Sequence, residues 1–86
     1  MYMKTNYPIR QAINGDVIKI LNTKTFEQIE IDLNTFEVFK SIMAQDCVDD
    51  SWIIDYCNTN NIDKSDILGF LELLVDVGFI RSKTSG

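Results

Sequence analysis

The chain is expected to fold as an α+β domain, a three-stranded antiparallel sheet followed by three helices in the order βββααα. Three observations lead there. Asn14-Gly15 stands between two short runs rich in β-branched residues, a strong hairpin signal because both residues tolerate positive φ. The stretch Glu27–Val38 then passes from period-two alternation (Ile29, Ile31 and Leu33 with Glu30 and Asp32 between) to helical spacing within a few residues. Beyond it apolar residues recur at helical intervals up to Gly78, interrupted by the breaker Asn58-Thr59-Asn60-Asn61.

Taken in order, Met1–Tyr7 shows little pattern and reads as a loose tail, as do residues 82–86 at the other end, leaving residues 1–86 as a single domain. Pro8 suits the first residue of an edge strand, since it has no amide to donate. Ile9, Gln11 and Ile13 alternate with Arg10 and Ala12 to give the first strand. Asp16–Asn22 is the return strand, apolar on both faces (Val17 and Leu21 on one, Ile18 and Ile20 on the other), as a middle strand would be. A polar turn, Asn22 to Thr25, leads to the third strand, Phe26–Leu33.

Asn34 is placed to cap the first helix, with Glu37 three residues on to complete a capping box and Leu33 and Val38 spaced as a hydrophobic staple. That helix runs to about Ala44 with Phe36, Val38, Phe39, Ile42 and Met43 on its apolar stripe. After an acidic connection, Asp49 or Asp50 opens a second helix carrying Trp52, Ile53, Tyr56 and Cys57 on one side. Asp63 opens the third, where Ile62 can staple to Ile67, and Gly78 ends it with Phe79 placed to pack back on Leu74. A small sheet cannot bury its apolar face alone, so the helices must cover it. The result is a winged helix-turn-helix-like arrangement.

Composition narrows the function. With 86 residues there is room for one core. No apolar run is long enough for a membrane span, and the first residues lack the apolar core of a signal peptide, so a cytoplasmic protein is expected. The net charge of −5, with eight scattered basic residues, disfavours nucleic acid, which needs Lys and Arg against phosphate. Two cysteines and no histidine cannot complete a tetrahedral metal site, so no metal or cofactor is expected. Cys47 and Cys57 read as reduced thiols, structural or incidental. The usual catalytic constellations are missing too, so the chain is not read as an enzyme.

The junction Ile31-Asp32-Leu33-Asn34-Thr35 resembles the "apolar, x, Leu-Asn-x-Thr" step of the PqqD-like family, the leader-binding domains known as RiPP recognition elements. The ending Phe70-Leu71-Glu72-Leu73-Leu74 … Val77-Gly78-Phe79-Ile80 is similar to that family's "fLxxLxxxGli" close. The likeness runs from about Pro8 to Ile80, and departs where many relatives have "DG" and this chain has Gln45-Asp46-Cys47. It implies a non-catalytic adaptor that binds the leader of a ribosomally made precursor peptide. It also implies a partner maturation enzyme: a leader peptidase, a lasso-type cyclase, a cyclodehydratase or a radical SAM enzyme.

The residues allow that role. The third strand has no strand after it, so in a meander it is an edge with unpaired amides and carbonyls, open to strand addition by an extended peptide. A few ladder bonds alone fall short of micromolar affinity, so an apolar groove beside the edge is required. The candidate groove is Phe26, Glu27, Gln28, Ile29, Glu30 and Ile31 from the strand, with Lys64, Ile67, Leu68, Leu71, Glu72 and Val75 from the third helix. Lys64 is placed to meet an acidic leader residue and Glu27 or Glu30 a basic one. The competing readings are that the surplus leucines are core and the charges simply solvated, guarding an edge. Two other functions compete: a protein-interaction module or homodimer through the same strand edge, and a DNA-binding winged-helix regulator. In the latter Asp63, Asp66, Glu72 and Asp76 would face phosphate against a single Lys64.

Overall fold

The computed structural model describes residues 1–5 and 9–82. Within them lie six strands and three helices: β1 (Tyr2–Lys4), β2 (Ile9–Asn14), β3 (Val17–Asn22), β4 (Gln28–Asp32), α1 (Leu33–Met43), β5 (Cys47–Val48), α2 (Asp50–Asn60), α3 (Lys64–Asp76) and β6 (Ile80–Ser82). The strands form two antiparallel sheets, ordered β2-β3-β4 and β5-β1-β6.

The meander expected from the sequence is the first sheet. Its hairpin turn sits one residue later than the Asn-Gly signal suggests: Asn14 pairs with Val17, leaving Gly15-Asp16 as the loop. Gly15 has φ +66 and Asp16 is not among the positive-φ residues, the pattern of a turn whose first central residue alone is left-handed. The third strand is also shorter than expected, because Phe26 (φ 62) and Glu27 are spent in the turn. There the Phe26 amide donates to the Asn22 carbonyl (2.8 Å) and the Asn22 amide to the Glu27 carbonyl (2.9 Å).

The second sheet is not legible in the sequence. Tyr2–Lys4 is not a loose tail; it is a central strand, with Tyr2 opposite Val48 on one side and opposite Ser82 on the other. Thr5 extends the seam, its amide donating to the Phe79 carbonyl (3.1 Å) and its hydroxyl to the Gly78 carbonyl (2.8 Å). Ser82 belongs to β6 rather than to a tail, while Pro8 and residues 83–86 lie outside the described residues.

Helix starts follow carboxylates. Asp32, not Asn34, caps α1: its Oδ1 accepts from the Thr35 amide at 2.7 Å. The strand therefore enters the helix two residues sooner, and Glu37 pairs with Lys40 (2.9 Å) instead of closing a capping box. Asp49 caps α2 through the Trp52 amide (2.8 Å). Asp63 occupies the cap position of α3 but makes no side-chain cap bond; its carbonyl accepts from Asp66 and Ile67. At the far end Gly78 (φ +83) lets the Phe79 amide reach the Leu74 carbonyl (2.9 Å) and its own amide the Val75 carbonyl (3.1 Å), a Schellman ending.

The core lies between the meander and the helices. Ile18, Ile20 and Ile29 from the sheet meet Phe36, Phe39 and Ile42 of α1 and Ile67, Leu71 and Leu74 of α3. Ile53 and Cys57 of α2 and Val48 and Ile80 of the second sheet complete it. Phe79 packs edge-on against Phe39, ring centroids 5.6 Å apart. Only one face of the meander is covered. Val17 and Lys19 on the opposite face of β3 are exposed, so the middle strand is not buried on both sides as its composition suggests. Asn22 is fully buried, yet its polar atoms are paired: Nδ2 donates to the Val77 carbonyl (2.9 Å), and Oδ1 accepts from the Lys24 amide (2.9 Å) and the Thr25 amide (3.3 Å). This side chain ties the turn before β4 to the end of α3.

Candidate functional site: an open strand and the cleft beside it

The direction of the free main-chain groups follows from one hydrogen bond and the register. Because the Asn22 amide points at Glu27, the alternate residues Ile18 and Ile20 of β3 also face β4. Their partners Ile31 and Ile29 face back. Gln28 and Glu30, with the Asp32 amide, therefore present their main chain outward. Among the described residues no strand pairs with β4 except β3, and the amino-terminal strand goes to the other sheet. The edge is open.

Side chains along this edge divide by face. Gln28, Glu30 and Asp32 stand on the solvent face, where Glu30 lies opposite Lys19 with a 3.7 Å ion pair. That pair is exposed at both ends and contributes little to stability. Ile29 and Ile31 point to the helices; Ile29 is buried in the core and Ile31 is half-buried against it. The hydrogen bonds from Thr35, the backbone amide first, hold the Asp32 carboxyl below its usual range, so a full negative charge stands at the end of the strand near neutral pH.

Just past that carboxylate a cleft opens between α1 and α3. Its volume is about 340 Å³, and it is lined by Asn34, Thr35, Val38, Ile62, Asp66, Ile67 and Phe70. The floor is apolar and the rim polar, a composition that admits one or two apolar side chains and orients them by hydrogen bonds.

The residues expected to form the groove are only partly brought together. Gln28 and Glu30 supply the exposed edge, Ile31 stands half-buried beside it, and Ile67 lines the cleft. Glu27 is exposed, its carbonyl taken by Asn22. Phe26 is 79% exposed in the turn ahead of the strand rather than in it. Ile29 and Leu71 are core residues, and Leu68 is half-buried against the core. Lys64 is an exposed residue at the start of α3. Glu72 and Val75 line a different, more polar hollow of about 250 Å³ with Tyr2, Asp76 and Ser82, against the second sheet. The third helix is thus shared between two surfaces.

Sequence reasoning misses Asn34, Thr35, Val38, Ile62, Asp66 and Phe70 as cleft residues. A signal exists for one of them: Phe70 follows Ile67 by three and so shares its side of the helix. Asn34 and Thr35 read instead as parts of a cap. Cys47 is half-buried and Cys57 buried, both as free thiols. Among the described residues no group of three or more His, Cys, Asp or Glu is placed to hold a metal ion. Among them too, no helix is long and apolar enough to cross a membrane.

Comparison with protein-family models, with curated proteins and with solved structures finds no match to this chain.

Proposed function

We propose that this protein is a non-catalytic peptide-binding adaptor of the RiPP-recognition-element kind, a winged-helix variant that takes the leader of a precursor peptide as a fourth strand beside β4. A partner enzyme, such as a leader peptidase, a cyclase or a radical SAM maturase, would then act on the presented core. The single observation that carries the reading is an unpaired strand margin lying beside an apolar cleft. Its setting in the cytoplasm belongs to the same proposal.

The energetics require both parts. Exchange of both main-chain bonds at Gln28 and Glu30 supplies four hydrogen bonds, at about 0.5–1.5 kcal/mol each roughly 2–6 kcal/mol. Micromolar binding needs about 8 kcal/mol, before the cost of ordering the peptide. One or two large apolar side chains in the α1–α3 cleft add roughly 1.5–3 kcal/mol each. Face alternation then sets specificity. A peptide residue opposite Glu30 shares the solvent face with a carboxylate and favours Lys or Arg. Those opposite Ile29 and Ile31 face the helices and favour apolar side chains.

Titration of the isotope-labelled chain with candidate leader peptides tests the proposal. Amide shifts are expected at Gln28, Glu30, Asn34, Thr35 and Phe70. Shifts confined to α2, or none with any leader, would sink it.

A further inference from the structure

The meander has a second margin, β2, and its chemistry differs from that of β4. All six β2 side chains are exposed. By the register, Ile9, Gln11 and Ile13 lie on the same face as the buried Asn22, Ile20 and Ile18, yet Ile13 is 65% and Ile9 37% exposed. The reason is that α1 packs on β3 and β4, while among the described residues no helix packs as closely on β2. Among the described residues no strand pairs with β2 except β3, so its outer main chain is open as well. Asn14, Ala12 and Arg10 pair inward with Val17, Lys19 and Leu21, so Ile9, Gln11 and Ile13 turn their amides and carbonyls out.

Soluble proteins normally guard such an edge with charge. β4 is guarded: Glu30 and Asp32 stand along it, with Glu27 just ahead of it. β2 carries Arg10 as its only charge. The two edges therefore differ in what they can pair with. For β4 against a second β4, centring on Glu30 sets two carboxylates face to face and centring on Ile31 sets Glu30 against Asp32; centring on Ile29 sets Gln28 against Glu30 and avoids like charges, but it covers no exposed isoleucine. For β2 against a second β2, a two-fold axis at Gln11 places Ile9 opposite Ile13, Gln11 opposite Gln11, and Arg10 opposite Ala12. No like charges stand directly opposite, the exposed isoleucines cover each other, and the outward main-chain groups fall in register for six hydrogen bonds.

We infer that β2 is a homodimer edge, pairing antiparallel with a second copy of this chain about Gln11 to make one six-stranded sheet. The interface is isologous, as a two-fold contact must be. Both β4 edges end up at the outer margins of that sheet, so self-association leaves them open. The inference stands independently of the peptide-binding proposal.

The test is sedimentation of the full chain over a concentration series. Wild type is expected to shift from monomer to dimer, and more strongly as salt rises, because screening relieves repulsion between two acidic protomers and between the two Arg10 side chains, diagonal neighbours across the axis. Gln11→Lys and Gln11→Glu each place like charges at the axis and should weaken association at least about tenfold. Gln11 is exposed, so circular dichroism should show both variants folded. Mixing the two variants should restore a dimer, an outcome specific to pairing about this residue. Gln28→Thr on β4, which keeps the net charge at −5, should leave dimerisation unchanged. A wild type that stays monomeric at hundreds of micromolar, or a dimer indifferent to Gln11 but lost on changing β4, would overturn the inference.

Discussion

Replacing Gly78 by alanine puts the join between the meander and α3 to the test. Gly78 has φ +83, a region that costs an L-residue about 1–2 kcal/mol. A Cβ there would stand 2.9 Å from Asn22 Nδ2 and 3.4 Å from Thr25 Cγ2. Asn22 cannot simply retreat, because Nδ2 is bonded to the Val77 carbonyl and Oδ1 to the Lys24 amide in a fully buried site. Moving it breaks a buried bond, at roughly 1–3 kcal/mol. Reduced freedom of the unfolded chain offsets about 0.4–1 kcal/mol. The expected loss is about 2–4 kcal/mol, which at roughly 4–8 °C per kcal/mol is easily seen in thermal unfolding. Urea denaturation of Gly78→Ala, Asn22→Ala and the double variant gives the sharper reading. Once Asn22 is shortened, the methyl group introduced at position 78 has nothing polar to displace, so the double variant should lose about 1–2 kcal/mol less than the sum of the singles. A Gly78→Ala protein within about 0.5 kcal/mol of wild type, or strictly additive losses, would refute the reasoning.

Three further expectations follow from particular residues. Phe26→Gly removes a left-handed, exposed aromatic and should stabilise the fold by up to about 1 kcal/mol in thermal unfolding, because the relief exceeds the entropy glycine adds. A loss of stability would show that the Phe26 ring packs where the structure leaves it exposed. Asp32 has a lowered folded pKa, so its contribution is complete above the unfolded carboxylate value and is lost as pH falls through the folded one. Stability of wild type should therefore drop more between about pH 6 and pH 2 than that of Asp32→Asn, which keeps a capping oxygen without the titration. Glu30→Lys sets two lysines opposite each other and should cost about 0.2–1 kcal/mol of stability, while reversing any preference for a basic peptide residue opposite it, read by calorimetry with paired Lys and Glu peptides.

The meander and the three helices are legible because their signals are local: alternation, a hairpin pair, acidic helix starts and a glycine stop. The second sheet is not, because its strands are two or three residues long and Tyr2 finds partners at Val48 and Ser82, far away in sequence. No periodicity survives in so short a run. The choice of Asp32 over Asn34 as cap depends on where β4 releases its last ladder pair, Val17 with Asp32, a tertiary fact. For the site, the open edge follows from strand order alone, but the cleft does not. Which side of α3 faces α1 and which faces β1 and β6 is set by how the helices cross. Ile67 and Val75, both legible as apolar positions of one helix, accordingly end up lining different hollows.

Peptide recognition by this chain depends on β4 accepting an extended strand, and the most direct measurement is hydrogen exchange at the outward Gln28 and Glu30 amides in the full chain. Both should exchange quickly in the free protein and become protected when a candidate leader peptide binds, together with shifts at Thr35 and Phe70. A peptide that binds tightly while those two amides go on exchanging freely would contradict it.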